Sequence, residues 1–268
     1  MIYTVQGAPL YAYTGGKTFD AQKPTVVFIH GVLNDHSVWI LQSRYFANHG
    51  WNVLAIDLPG HGKSGGKAPA TVQSAAESIV ALLDAAGVSK AILMGHSFGS
   101  LIALHVAAEN PSRVSQLAMV GTAYPMRVSP ALLEDSLNAP EKAIHMVNVF
   151  SHSTLAPPPS ALGPGTWLLG GSKALMRRVL ASNPHENIFN IGFKACDQYD
   201  QGEVDIAKVT CPTLFLLGQK DQMTPVKAAQ SLIQLTKNGQ VAYVNAGHQL
   251  MVEAPEETLK AMMAFCKK

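Results

Sequence analysis

Charge is scarce in this chain. Asp, Glu, Lys and Arg make up 14% of its 268 residues, against about a quarter in an ordinary soluble protein. So low a fraction suits a large parallel sheet buried on both faces. The twenty basic and eighteen acidic residues leave a net charge of +2. That forms no basic stripe and argues against a nucleic-acid partner. Cysteine is scarce too. Cys196, Cys211 and Cys266 form no CxxC pair, and any one disulfide would leave a thiol over, so a reduced compartment fits. Met1–Val5 has neither a basic stretch nor an apolar core of the signal-peptide kind. No uncharged apolar run approaches the length of a membrane span. A cytoplasmic protein without membrane contact is the expectation. The ten histidines include no pair with the spacing of a helical metal site, so no metal is expected.

Apolar residues, by contrast, are 47% of the chain, and their grouping is regular. Residues 2 to 13 alternate around Gly7-Ala8-Pro9, as in an antiparallel hairpin. Apolar strand-like runs then alternate with helical patterns. Runs at 25–29, 53–56, 91–94 and 114–120 are separated by predicted helices at 39–48, 71–86 and 100–110. This is the signature of a parallel sheet with helices on both faces, an α/β fold. From 123 to about 205 the pattern predicts helices only, at 130–137, 141–150, 173–182 and 186–199, with Pro157 to Gly165 separating two halves. Strand patterns resume at 212–218 and 240–244. The expected organisation is a core of residues 1–122 and 206–268 with a helical cap, 123–205, over the carboxyl ends of the strands. Ligands bind there in open α/β sheets.

The chemistry-bearing motif is Gly95-His96-Ser97-Phe98-Gly99, set between the run Ala91–Met94 and a helical pattern. A serine between two glycines at a strand-to-helix junction reads as a nucleophile elbow, whose turn is too tight for side chains two positions away. Downstream, Asp221 lies just past the strand Pro212–Gly218, and His248 follows the strand Gln240–Val244. Upstream, Thr25–Ile29 runs into His30-Gly31-Val32, and Asp57-Leu58-Pro59-Gly60-His61-Gly62-Lys63-Ser64 follows Val53–Ile56.

Five such motifs in this order resemble the α/β-hydrolase superfamily, in the serine-nucleophile branch with a helical cap inserted after strand 6. The resemblance implies a mostly parallel eight-stranded sheet flanked by helices. It implies Ser97 as nucleophile, His248 as general base and Asp221 as the acid orienting it, in the chain order of that family. It also implies an oxyanion hole made by the backbone amides of Phe98 and Val32. Asp57 rivals Asp221 but opens a glycine turn, where an aspartate usually caps amides. Asp205 and Glu203 are weaker rivals. Among the other histidines, His30 is expected to support its loop, His61 belongs to a glycine turn, and His96 points away from its neighbour. His145 and His152 lie in the cap. Trp39, Phe98, Met126, Met146, Phe150 and Trp167 are candidates to line an apolar pocket.

The implied activity is hydrolysis of a small carboxylic ester through an acyl-enzyme, without cofactors. Serine at the elbow argues against haloalkane dehalogenase or epoxide hydrolase activity, which rely on aspartate there. The same triad serves carbon–carbon bond hydrolases, lactonases, perhydrolases, hydroxynitrile lyases and some slow-turnover small-molecule receptors. The cap is expected to govern substrate choice while leaving triad geometry untouched.

Overall fold

The computed structural model describes residues 1–20, 22–153 and 167–266. The Pro157 to Gly165 separator therefore lies outside the described residues. Strands form where aliphatic and β-branched residues run together. In β3 (Thr25–Ile29, TVVFI) and β4 (Asn52–Ile56, NVLAI) every residue is buried. The hairpin β1 (Ile2–Val5) and β2 (Ala8–Tyr13) is antiparallel and joins β4 through Ala12 and Ile56. β5 (Ala91–His96), β6 (Val114–Val120), β7 (Thr213–Gly218) and β8 (Gly239–Val244) continue the sheet in parallel. The order is β1-β2-β4-β3-β5-β6-β7-β8, eight strands as expected. β8 alternates exposed and covered positions, as an edge strand does.

Topology places the site. From β3 the chain crosses to β4 on one side, then returns to β5 on the other. Loops leaving β3 and β5 therefore open away from each other at adjacent strand ends, the position where open α/β sheets bind ligands. The register Ile29 opposite Gly95 brings the loop after β3 against the turn after β5.

Helices α1 (Ile40–Asn48), α2 (Val72–Ala85) and α3 (Phe98–Glu109) cover the first half of the sheet. Thr71 caps α2 by accepting from the Ser74 amide. Nearly all of α3 is buried, because it is enclosed by β5, β6, α2 and a later helix. Each fully buried Leu or Ile along it contributes about 1.5–3 kcal/mol relative to exposure. The helix begins at Phe98, two residues before the sequence pattern shows it.

Between β6 and β7 lie α4 (Pro130–Asn138), α5 (Pro140–Ser151), α6 (Leu168–Ala181), α7 (Ile188–Gln198) and α8 (Gly202–Lys208). Leu132, Ile144, Val147, Met176, Val179 and Phe189 form a second apolar cluster, closed below by Leu33 and Ala68 of the core loops. α8 instead packs on α3, so the expected boundary at 205 falls inside a helix seated on the sheet layer. The chain ends in α9 (Gln230–Leu235), α10 (Leu250–Glu253) and α11 (Pro255–Cys266). Among the described residues no helix is long and apolar enough to cross a membrane.

Candidate active site

Ser97 sits at φ 52°, ψ −119°, a left-handed conformation that costs a non-glycine residue on the order of 1–3 kcal/mol. The sequence around it explains how the turn is held. A Cβ on Gly95 would overlap the carbonyl of Gly99, and one on Gly99 would overlap the carbonyls of Ile29 and His30. Only bare backbone lets the three segments meet. The Ser97 amide donates to the Val120 carbonyl (2.9 Å), and the Ser100 hydroxyl donates to the Ser97 carbonyl (2.6 Å). Phe98 is the first residue of α3, so its amide has no acceptor within the helix.

Asp221 follows β7 in a tight turn. Its Oδ1 accepts the amides of Met223 and Thr224, both at 2.8 Å, and its Oδ2 accepts the Thr224 hydroxyl at 2.7 Å. His248 Nδ1 lies 2.8 Å from the same Oδ2. Burial alone would raise the Asp221 carboxyl. The facing His248 and the donated hydrogen bonds outweigh it and hold the group below the usual carboxylate range. An ionised Asp221 fixes the proton on His248 Nδ1 and leaves Nε2 as the basic nitrogen.

The His248 backbone is fixed from two sides. Its amide donates to the Ser151 carbonyl at the end of α5 (2.7 Å), which also accepts the Gln249 amide (3.2 Å). Its own carbonyl accepts Nε2–H of His96 at 2.9 Å. Burial and the neighbouring His248 push the His96 ring down to about 3, so it stays neutral. His96 thus points away from the cavity, as expected, but has a supporting role that sequence reading missed. The Ser151 carbonyl ties the helical insert to the loop that carries His248.

Ser97 and His248 line one cavity of about 240 Å³, together with Val32, Met126, Leu132, Phe150, Phe193 and Thr224. The loop after β3 is close to Ser97, since a Cβ on Gly31 would come within 3.2 Å of the serine Cβ. Of the proposed pocket residues, Met126 and Phe150 belong to this cavity. Trp39 does not. It is fully buried against Phe28, with ring centroids 5.1 Å apart, because it closes the turn leading into α1. Met146 packs within the cluster of the insert. Trp167 is 59% exposed and borders a separate hollow with Asn34, Val38 and Leu175. Phe98 is buried in the main core. Leu132, Phe193, Met223 and Thr224 were missed. Thr224 alone carried a signal, as the third residue after an aspartate that caps amides.

The rival residues have other partners. Asp57 Oδ1 accepts both the amide (2.7 Å) and Nδ1–H (2.6 Å) of His36, while Oδ2 accepts the Lys63 amide (2.9 Å). His30 donates from Nδ1 to the Gly31 carbonyl and accepts the Leu58 amide at Nε2 (3.0 Å), an arrangement only the neutral ring allows. Asp205 pairs with His105 (2.7 Å) and accepts the Tyr199 hydroxyl. His145 lies beside Lys173, and His152 donates to the Asn148 carbonyl. Asp35, His36 and Asp57 bring donor atoms within 4.8 Å of one another. Those donors are already engaged, Asp57 by His36 and Asp35 by Arg178 (2.7 Å).

A family model described as alpha/beta hydrolase fold matches residues 24–152. The protein ABHD8 of Bos taurus is 27% identical over 242 residues, covering 88% of this chain and 54% of its own length. The chain thus spans about half the length of that relative. A 3-oxoadipate enol-lactonase of Acinetobacter baylyi is 24% identical over 262 residues, covering 94% of each chain. Among solved structures, an esterase from Exiguobacterium antarcticum superposes with a TM-score of 0.84 at 19% identity, over 100% of this chain and 99% of that one.

Proposed function

The chain belongs to the α/β-hydrolase superfamily, and on that premise we propose that it is a serine hydrolase cleaving small carboxylic esters. The observation that carries the proposal is one cavity lined by both Ser97, at the strained turn between β5 and α3, and His248, whose ring is held by Asp221. A free serine hydroxyl is almost un-ionised at neutral pH, so a base must take its proton as it attacks. In this reading His248 Nε2 takes it, and Ser97 Oγ adds to the ester carbonyl. The oxyanion rests on the amides of Phe98 and Val32, each worth roughly 3 kcal/mol of transition-state stabilisation. The imidazolium then returns the proton to the leaving alkoxide. Water, deprotonated by His248, cleaves the acyl-enzyme and frees the carboxylic acid.

The cavity of about 240 Å³ is smaller than sites for drug-sized ligands, which supports short acyl groups. Helices α4 to α7 cover the site in this reading, and Met126, Leu132, Phe150 and Phe193 set the acyl length. A lactone is a cyclic ester cleaved by the same steps. The full-length match to an enol-lactonase makes lactones the second substrate class to assay.

A fluorophosphonate probe tests the hydroxyl and oxyanion hole without demanding substrate fit. It should label Ser97, and His248→Ala should abolish labelling. An adduct on another serine would overturn the mechanism. A panel of p-nitrophenyl esters and lactones, read for wild type and Ser97→Ala, then separates the substrate classes.

A further inference from the structure

We infer that the Thr224 hydroxyl is a positioning residue for His248, acting as a second acceptor for the Nδ1 proton while its own proton is committed to Asp221. The inference rests on the reading of Ser97, His248 and Asp221 as a triad.

Three buried atoms form a closed triangle. Thr224 Oγ1 lies 2.7 Å from Asp221 Oδ2 and 3.0 Å from His248 Nδ1, and Oδ2 lies 2.8 Å from Nδ1. Thr224 is 3% exposed, and both groups within reach of its hydroxyl, Asp221 Oδ2 and His248 Nδ1, are buried. A hydroxyl has one proton and two lone pairs. The ionised carboxylate is the stronger acceptor and takes the proton. A lone pair of Oγ1 is then left for His248 Nδ1–H, which is shared between a carboxylate and a hydroxyl oxygen. The opposite arrangement, in which the hydroxyl donates to a bare Nδ1, would leave Asp221 Oδ2 facing a nitrogen lone pair at 2.8 Å.

Two consequences follow. Two acceptors fix the ring plane better than one, so the direction of Nε2 within the cavity shared with Ser97 is more tightly set. Asp221 is held ionised whether the ring is neutral or charged, so its bond from Thr224 largely cancels. What does not cancel is the Thr224 oxygen, which holds a charged ring more strongly than a neutral one. Asp221 from the turn after β7 and His96 from β5, at 4.6 Å between ring centroids, are the titratable groups facing the ring. His96 is neutral. Glu253 of α10 accepts the Gly247 amide and so faces the loop backbone.

The test uses two substitutions that divide the side chain. Thr224→Val keeps the methyl shape and loses the hydroxyl, while Thr224→Ser keeps the hydroxyl and loses the methyl. The readouts are fluorophosphonate labelling of Ser97 against pH, and kcat and KM for p-nitrophenyl acetate. Thr224→Val should label about tenfold more slowly on the plateau, with the acid limb moved roughly half a pH unit lower and KM within about twofold. Thr224→Ser should restore both rate and profile. An unchanged profile in Thr224→Val, or equal damage in Thr224→Ser, overturns the inference while leaving the triad standing. Failure of wild-type Ser97 to label at all overturns the triad and this inference together.

Discussion

Asp57 and Asp221 are near twins in their surroundings. Each lies just beyond a parallel strand, each is buried, and each accepts two backbone amides and an imidazole Nδ1. What differs is who owns the imidazole. Asp57 holds the ring and the amide of the same residue, His36, with one oxygen. Backbone and ring are thereby tied as one unit beside Tyr11 and Tyr13. Asp221 holds a ring delivered by a distant loop, and that ring lines the cavity of Ser97. An aspartate–histidine pair is therefore not a sign of catalysis by itself. What separates the two pairs is that the His248 ring lines the cavity of Ser97 and the His36 ring does not.

Substitution at the two aspartates breaks the comparison most sharply. Asp221→Asn should lower kcat by about 10⁴, the loss an amide causes when it favours the wrong tautomer of the base, while the urea midpoint moves little. Turnover within tenfold of wild type would remove Asp221 from the triad.

Acid should weaken both regions together. Burial pushes His61, beside the Asp57 turn, and His96, beside His248, down to about 3 from an ordinary 6.5. Between those values the unfolded chain binds a proton that the folded ring refuses, so stability falls as pH drops. Each ring contributes up to about 1.4 kcal/mol per pH unit. Lowering the pH from 7 to 5 should therefore cost about 2–4 kcal/mol in urea unfolding. Asp35 and Asp221, held below the usual carboxylate range, contribute stability that is lost only at lower pH still. A flat response from pH 7 to 5 would show that both rings charge in the native state.

Asp57→Asn should do the reverse of Asp221→Asn. It turns an amide nitrogen toward a backbone N–H, at a cost of about 1–3 kcal/mol, while turnover per folded molecule stays within about twofold. A well-folded, inactive variant would exchange the roles assigned to the two aspartates. The smallest effect belongs to Arg178→Ala, which removes the tie from α6 to Asp35. With the Arg178 side chain 63% exposed, the expected loss is about 0.2–1 kcal/mol. A larger loss in thermal unfolding would mean that this contact sets the seating of the insert.

The candidate site was legible in the sequence where local geometry demands particular residues or strand ends. Gly95 and Gly99 cannot carry a side chain, and Asp221 and His248 follow strand-like runs whose ends had to lie together. Contacts between distant segments left no such mark. Trp39 looked like a pocket residue because an aromatic near a motif carries no indication of its facing. Ser151 was invisible because its partners, the amides of His248 and Gln249, are fixed by tertiary geometry, while Thr224 showed its link to Asp221 through spacing but not its reach to His248. The boundary expected at 205 cuts α8, because no strand-like run or predicted helix marks that segment, and its packing is with α3.

The Ser151 carbonyl that accepts the amides of His248 and Gln249 belongs to the peptide backbone, so no side chain supplies it. Exchange of Ser151 for another residue that keeps the helix leaves that acceptor in place. The insert can thus vary in composition while still bracing His248. A change in length is another matter. One residue added or removed within α5 turns its last carbonyl by about 100° around the helix axis and withdraws it from both amides. Libraries that vary residues 140–151 by substitution should retain working enzymes, whereas those that vary its length should lose them even where every side chain facing the cavity is preserved.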